Sequence, residues 1–317
     1  MKIFPQQYQD LVNGTLGFTQ DEPLILIDHL GGFDANFKNQ LLDVFLKNNC
    51  KNQIYTQYQI DFLKLSHYNT LNIKNYAELQ NRINLKHFVN YTIHPTLNYK
   101  NFICSFNGSS HVSRKLLVSI LSKFGYFTNN YCSKNFSYTI NILDGHINDY
   151  VNTHDFYRKF FINEYSEEFF QSINSFGHVR LDHNKNIYNL EYKLTESFLH
   201  IVSETMATSY YPFVTEKLLY SVVTRGLFLA YAQPGWHSHL EKYYGFKRYT
   251  KLFDYRFDDI QNPIERLVEL ITMISKFSCL SPAEWTDLYE IEQDTIEYNY
   301  NHYFSQQYLE CLSEYKN

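Results

Sequence analysis

A carboxylate and a lysine stand at two boundaries of a strand–loop–helix pattern in the second half of the chain. The apolar run 199–202 leads into Glu204, and after a loop the sequence Thr215-Glu216-Lys217 opens a segment with helical apolar periodicity. An open α/β sheet builds its binding site in this order, at the carboxyl ends of its strands. A helix N-terminus attracts anions, and a lysine in the first turn is locally unfavourable unless something negative faces it. The pattern therefore predicts a phosphorylated ligand.

The elements that would position these groups follow from local signals. Thr215 is a suitable cap for the helix, Gly226 is predicted to end it, and residues 227–230 read as the next strand. The connecting loop carries Tyr211. The segments on both sides of the loop and helix, at 199–202 and 227–230, are mainly apolar and are predicted to be strands.

An earlier unit of the same kind lies near the start of the chain. The apolar run 24–27 leads into a loop that contains Asp28, His29, a Gly-Gly pair and Asp34, and a helix of about four turns is predicted after it. Each of the three polar residues is therefore expected near the mouth of the first strand. Residues 54–62 are a candidate further strand.

A third unit begins with the predicted strand 102–106, which runs into a loop of small polar residues. The helix that follows is predicted from about His111 to Lys123, with Gly125 at its end. Arg114 would lie at the start of this helix, close to the carboxyl end of the strand.

Two capping signals mark the last helices. Asn262 followed by Pro263 and Glu265 predicts one helix start, and the sequence 281–284, Ser-Pro-Ala-Glu, predicts another. The second helix is expected to run without interruption towards residue 316, because no Gly or Pro occurs in that stretch.

Composition limits the possible classes of protein. The chain has 317 residues, a net charge of −5 and 44% hydrophobic residues, enough for a substantial core but no general basic field for nucleic acid. Its five cysteines include no CxxC pair, which argues against a disulfide scaffold or a zinc site. No run approaches 18 apolar residues and the start lacks a signal-peptide pattern, so we expect no membrane span and a cytoplasmic protein of a bacterium or a virus-infected host cell.

The strand–loop–helix–strand segment described first, which contains Glu204 and Lys217, resembles a segment of a known enzyme group. The motif Phe-x-Thr-Glu-Lys-Leu at 213–218, after Ser-Glu-Thr at 203–205 and before Gly-x-Phe-Leu at 226–229, is similar to the donor-site segment of GT-B glycosyltransferases. The likeness is to the fucosyltransferase-like group and its viral and bacterial relatives, over roughly residues 102–277. Fucosyltransferases end the strand in Phe-Glu-Asn-Ser and have a shorter loop, so a fucose donor is not implied.

This resemblance implies an α/β fold of GT-B type, with two Rossmann-like domains and a C-terminal helix that packs back on the first. The expected boundaries are 1–98 for the acceptor-side domain, 99–280 for the nucleotide-sugar-binding domain and 281–317 for the final helix. The implied activity is sugar transfer from a nucleotide-diphosphate donor to a hydroxyl of a glycan or small molecule, with inversion.

The resemblance also implies roles for individual residues. Lys217 and Arg114 would neutralise the donor diphosphate, and Glu216 would hydrogen-bond the ribose hydroxyls. Glu204 would orient the donor sugar or the ribose. The remaining donor-binding candidates are Tyr211 and Thr215.

A general base is expected from the first domain, where the candidates are Asp28, His29 and Asp34. Histidine titrates near neutrality without much tuning, whereas an aspartate would need its pKa raised by burial. We therefore hypothesise that His29 or Asp34 deprotonates the acceptor.

No cofactor and no metal are expected. Metal-dependent GT-A transferases hold their cation with an Asp-x-Asp triplet, which this sequence lacks. Scattered His and Asp residues between 126 and 190 show neither the H-E-x-x-H spacing nor a tight Cys/His cluster.

Two other functions remain open. The acceptor could be a modified DNA base, as in phages that glycosylate their own genomes; Lys38, Lys47, Lys51 and Lys64 would favour this interaction, while the overall acidity disfavours nucleic acid. Alternatively, the chain could be a non-catalytic nucleotide-binding protein on a transferase fold, although the presence together of Arg114, Glu216 and Lys217 argues against decay.

Overall fold

The computed structural model is an α/β structure with two parallel sheets of four strands each. The residues that it describes are 2–3, 5–19, 22–26, 42–56, 71–75, 97–107, 112–126, 130–134, 192–204, 207, 212 and 214–305. In this part of the chain, no helix is both long and apolar enough to cross a membrane.

The first sheet has the simple order β1-β2-β3-β4, and all its strand pairs are parallel. Its strands are β1 Lys2–Ile3, β2 Leu24–Leu26, β3 Gln53–Thr56 and β4 Asn72–Asn75, with α1 at Pro5–Val12. A small core of Leu11, Leu24, Phe45 and Ile54 holds these elements together. The predicted strand at 24 is confirmed, and residues 42–47 of the predicted following helix are helical. Asp28, His29 and Asp34 lie outside the described residues.

The second sheet has the order β6-β5-β7-β8, again with every pair parallel. Its strands are β5 Asn101–Asn107, β6 Tyr131–Lys134, β7 Ser197–Ser203 and β8 Leu227–Tyr231. Every residue of β7 and β8 is buried, as expected for central strands of a parallel sheet covered on both faces. The predicted strands at 102, 199 and 227 are therefore confirmed.

The order of strands in the second sheet reverses between β5 and β7. From β5 the chain continues to β6 on one side, and it later returns to place β7 on the other side of β5, with β8 beyond it. In open α/β sheets ligands bind at such a reversal, in the crevice outside the carboxyl ends of the strands. The topology thus places the expected site next to Asn107 and Ser203, the last residues of β5 and β7.

Helices connect and cover this sheet. They are α2 Val112–Lys123, α3 Lys217–Val223, α4 Trp236–Tyr244, α5 Pro263–Ser275, α6 Pro282–Ile291 and α7 Gln293–Phe304. α2 packs against α5, α3 packs against α7, and α6 packs on β7. The predicted caps are confirmed: Asn262 Oδ1 accepts the N–H groups of Ile264 and Glu265, and Ser281 and Glu284 form a reciprocal capping box.

The prediction of one uninterrupted C-terminal helix was wrong. The helix breaks at Glu292, between α6 and α7. The side chain of Glu292 is buried, and its Oε1 accepts the backbone N–H groups of Lys251 at 2.6 Å and Leu252 at 3.2 Å. This tertiary contact fixes the break without Gly or Pro.

Residues 306–317 lie outside the described part, so packing of the helix on the first domain stays a prediction, as do the domain boundaries and the GT-B arrangement.

α3 ends just before Gly226, as predicted, and the residue in the left-handed conformation is Arg225, with a φ of 52°. The N–H groups of Arg225 and Gly226 donate to the carbonyls of Val222 and Ser221, which closes the helix in a Schellman arrangement. Arg225 is held in this position by an ion pair of 2.8 Å with Glu297 and by the ring of Tyr300.

Candidate functional site

Glu204 lies at the centre of the site, one residue beyond the end of β7. Its side chain is 0% exposed. The Oε1 atom accepts the backbone N–H of Thr215 at 3.1 Å, while Oε2 has no hydrogen-bond partner among the described residues. The backbone N–H of Glu204 donates to the carbonyl of Tyr231 at 3.1 Å, so the carboxylate is fixed between the ends of β7 and β8 and the start of α3.

The segment Thr215-Glu216-Lys217 forms a compact polar group beside this carboxylate. Lys217 Nζ donates to Glu216 Oε1 at 3.1 Å and to the hydroxyl of Thr215 at 3.3 Å. The side chains of Lys217 and Glu216 remain 22% and 18% exposed. Helix α3 begins at Lys217 itself, and its N-cap Glu216 makes no side-chain cap. Thr215 was predicted to cap the helix. It is not the N-cap residue, but its hydroxyl accepts the backbone N–H of Lys217 at 3.3 Å.

Arg114 brings a second cation to the same place from α2. It is the third residue of that helix and is 2% exposed. The preceding residue, Ser113, donates from its hydroxyl to the Glu204 carbonyl at 3.5 Å, which places the start of α2 against the end of β7. Arg114 is close enough to Lys217 for its positive charge to contribute to the lowered pKa of that lysine.

Burial and neighbouring charges change the acidity of these groups. Burial raises the pKa of Glu204 to about 7, against the opposing influence of the Lys217 charge and the hydrogen bonds from Thr215; the charge of Glu216 raises it further. Burial also lowers the pKa of Lys217, although the negative charges of Glu216 and Glu204 act in the other direction. Two neighbouring cations, Arg114 and Lys217, therefore lie at this edge of the sheet, and the carboxyl group beside Lys217 is partly neutral at neutral pH. This arrangement favours an added anion.

Three further polar side chains at the carboxyl ends of the strands in the second sheet were not predicted from the sequence. Asn107 Oδ1, Ser203 Oγ and Tyr231 OH are buried and have no hydrogen-bond partner within the part of the chain that the structure describes. They are the last residues of β5, β7 and β8, and Ser203 is directly paired with Tyr231 in the sheet. The available signal was a polar residue that ends each apolar strand.

The predicted site residues have two different outcomes. The structure brings together Arg114, Glu204, Thr215, Glu216 and Lys217 at the strand-order reversal. Tyr211 and the candidate bases Asp28, His29 and Asp34 lie outside the described residues, so their roles stay predictions.

The acidic residues Asp254 and Asp258 have structural contacts. Asp254 accepts the N–H of Arg256 at the start of the 3₁₀ helix Tyr255–Asp259. Asp258 Oδ1 accepts the Nδ1–H of His237 at 2.7 Å, and His237 Nε2 in turn accepts the N–H of Ala230 at 3.0 Å. His237 thereby ties α4 to β8.

No set of three or more His, Cys, Asp or Glu side chains suited to a metal ion occurs among the described residues. The histidines at 146, 154, 178 and 183 belong to the segment outside them. In the described site, the cations Arg114 and Lys217 are groups that could neutralise a phosphate.

Comparisons of the chain with protein-family models, with curated proteins and with solved structures gave no match. The described residues of the site are two cations, two carboxylates and a row of buried polar atoms at the carboxyl edge of a parallel sheet.

Proposed function

We propose that this protein is a glycosyltransferase that moves a sugar from a nucleotide-diphosphate donor to a hydroxyl of a glycan or small-molecule acceptor. One observation carries the proposal: Lys217 lies beside the buried carboxyl of Glu204 at the strand-order reversal of the second sheet, and Arg114, from a different helix, lies close enough to Lys217 to help lower its pKa. Ligands with phosphate groups bind such crevices in open α/β sheets.

The two cations fit the electrostatic requirement of sugar transfer. When the bond between the sugar and the diphosphate breaks, negative charge grows on the leaving diphosphate. Preorganised positive groups in a site with little water stabilise that charge more strongly than water does. Arg114 is buried and the Lys217 side chain is 22% exposed, and neither needs a metal ion for this task.

The carboxyl groups fit the rest of the donor. Glu216 retains 18% exposure of its side chain and would accept hydrogen bonds from the ribose hydroxyls after exchanging its contact with Lys217. Glu204 lies deeper, with its Oε1 occupied by the Thr215 N–H, and it would help to orient the ribose or the sugar. Tyr211 and Thr215 complete the proposed donor site.

Transfer also requires that the acceptor hydroxyl lose its proton. We assign this step to His29 or Asp34, with Asp28 as the third candidate, and expect direct attack with inversion. Substitution of the base by Ala should lower turnover and leave donor affinity nearly unchanged. Unchanged turnover in all three single variants would contradict this assignment.

The first test is a thermal-shift screen of the full chain against UDP-, GDP-, TDP- and CMP-sugars. A donor at about 100 times its dissociation constant stabilises a protein by about 2.7 kcal/mol, which is an easily measured shift. We expect one nucleotide class to stabilise the wild type and to lose most of its effect in Lys217→Ala. A matched control is Lys123→Ala, an exposed lysine at the opposite end of the helix that carries Arg114.

The donor identified in the screen is then supplied with candidate acceptors, and release of the nucleoside diphosphate is measured. Release that depends on the acceptor supports the proposal, and release that requires DNA would identify a base-glycosylating enzyme. Stabilisation by the donor with neither transfer nor hydrolysis would show a non-catalytic binding protein. Absence of a shift with every nucleotide sugar would contradict the proposed donor site.

A further inference from the structure

We propose that Glu204 takes up a proton when the site binds a diphosphate, and that the resulting carboxylic acid donates a hydrogen bond from Oε2 to the bound anion. The inference deepens the proposed function, because it rests on the same anion site between Arg114 and Lys217. It assigns Glu204 as a hydrogen-bond donor to the ligand, whereas an ionised carboxylate could only accept.

The two oxygens of Glu204 have different surroundings. Oε1 accepts the N–H of Thr215 at 3.1 Å, so it is already used. Oε2 has no accessible surface and no partner among the described residues. A buried oxygen without a partner is costly, and the cost is removed if a ligand atom pairs with it. The diphosphate of a nucleotide sugar carries no proton at neutral pH, so its oxygens only accept, and the hydrogen between the two oxygens comes from Glu204.

Charge balance leads to the same conclusion. Without ligand, an ionised Glu204 is attracted by Lys217 and opposed by Glu216, which already pairs with Lys217 Nζ at 3.1 Å. A diphosphate would bring further negative charge to Lys217 and to the neighbouring Arg114. An ionised carboxylate at that distance would repel the ligand, whereas a neutral carboxylic acid would not.

The elements around Glu204 contribute few other groups that titrate near neutrality. α3 contributes Glu216 and Lys217, and α2 contributes Arg114, which stays charged. On the strands, burial raises the pKa of Tyr231 and lowers the pKa of His200 to about 4, so both stay neutral. Burial already raises the pKa of Glu204 to about 7 in the absence of ligand. A small further rise on binding is enough to keep it protonated.

The proton is drawn from solvent, and no covalent bond to the ligand forms or breaks in this step. The linkage predicts the direction of the pH effect. Below pH 7 Glu204 is mostly protonated already and binding takes up little. Above pH 7 each binding event takes up a proton, so affinity falls as pH rises, by up to about tenfold per pH unit.

The test is calorimetric titration of the full chain with inorganic pyrophosphate at pH 8, in two buffers that differ in their enthalpy of protonation. The slope of heat against that enthalpy gives the number of protons taken up. The same experiment is run on Glu204→Gln, whose side chain keeps the shape of the protonated group but cannot gain or lose a proton. The difference in proton uptake between wild type and this variant is therefore the contribution of Glu204. We expect a difference of about 0.5–1 proton, and the variant should bind at pH 8 at least as tightly as wild type.

Lys217→Arg separates the two groups that could take up the proton. Arginine stays charged at every pH used, so the uptake should persist in this variant if Glu204 is responsible. Three results would overturn the proposal: equal uptake in wild type and Glu204→Gln, loss of uptake in Lys217→Arg while pyrophosphate still binds, or failure of pyrophosphate to bind wild type.

These results are distinguishable from failure of the proposed function. Proton uptake with pyrophosphate in a protein that transfers no sugar would leave this inference standing and overturn the enzymatic assignment. Sugar transfer without the uptake difference would do the reverse.

Discussion

The imidazole ring of His200 lies directly against Gly226, in the place where any side chain at residue 226 would begin. A Cβ atom added to Gly226 would stand 2.1 Å from His200 Cε1, far inside van der Waals contact. The ring is fixed there, because Nε2 lies 2.9 Å from the carbonyl of Leu194. This contact seats the end of α3 on β7, and α3 carries Lys217 at its other end.

We predict that Gly226→Ala destabilises the protein by about 2–3 kcal/mol, because the methyl group forces the imidazole or the end of α3 to move. Urea denaturation measures the loss. The His200→Ala change should recover much of it, since the smaller side chain vacates the space. Gly125→Ala is the matched control: its φ of 75° makes alanine strained, but nothing lies within 4 Å of the added atom. Strictly additive costs for Gly226→Ala and His200→Ala would contradict the prediction.

Local sequence signals were sufficient where burial alone decides the structure. β5, β7 and β8 are apolar runs long enough for buried strands, and α2 has its apolar residues at helical spacing. Two strong capping signals were also confirmed, at Asn262 and Ser281. Such features depend on neighbours within four residues, and a pattern can show them.

Features set by distant contacts could not be predicted. Gly226 was predicted to end α3, and the helix does end just before it, but the histidine on β7 that excludes any side chain at this position could not be read from the local pattern. The helix break at Glu292 depends on backbone groups that lie about 40 positions earlier. Nor does any pattern give the strand order, which is what places Asn107 beside Ser203 and identifies the crevice.

Arg266 connects the site to the rest of the second sheet. It is 1% exposed, and its guanidinium donates to the carbonyls of Ala232 at 3.0 Å, Gln261 at 3.2 Å and Ala207. Ala207 lies shortly after Glu204, and Ala232 directly follows β8. The planar fork of arginine can hold several carbonyls at once, which a lysine cannot do.

We therefore predict that Arg266→Lys lowers the free energy of unfolding by about 2–4 kcal/mol, since buried carbonyls lose their donors. It should also weaken pyrophosphate binding by moving the chain after Glu204. The measurements are urea denaturation and calorimetric titration. Arg256→Lys is the control, because that side chain is 86% exposed and pairs with a half-exposed Asp254; it should change stability by less than about 0.5 kcal/mol. Equal effects of the two substitutions would argue against the anchoring role.

The carboxylate of Asp258 organises the start of α4. Oδ1 accepts the His237 Nδ1–H at 2.7 Å, and Oδ2 accepts the backbone N–H groups of His237 at 3.0 Å and Ser238 at 3.3 Å. We predict that Asp258→Asn costs about 1–3 kcal/mol, because an amide cannot accept at both positions. Thermal denaturation measures the change, and Asp259→Asn, at the adjacent exposed position, is the control. Equal melting temperatures for the two variants would contradict the prediction.

The buried carboxyl of Glu204 predicts how stability depends on pH. Its pKa rises from 4.5 to about 7 on folding, mainly through burial, so the folded state favours the neutral form. The group imposes no penalty below pH 4.5, and the penalty grows as pH rises towards 7. Since each pKa unit corresponds to about 1.4 kcal/mol, the difference between pH 5 and pH 8 is about 2–3 kcal/mol.

Glu204→Gln removes this titration while keeping the shape of the side chain. The variant should therefore gain about 2–3 kcal/mol relative to wild type between pH 5 and pH 8, as measured by urea denaturation at both values. Glu284→Gln is the control: hydrogen bonds from the Ser281 backbone and hydroxyl lower the pKa of Glu284, so it is ionised at both pH values and its substitution should cost the same at each. A constant difference between wild type and Glu204→Gln across this range would show that Glu204 ionises normally in the folded protein. It would also remove the physical basis for proton uptake on anion binding, because a carboxylate that is fully charged at pH 7 would need a far larger shift to accept the proton.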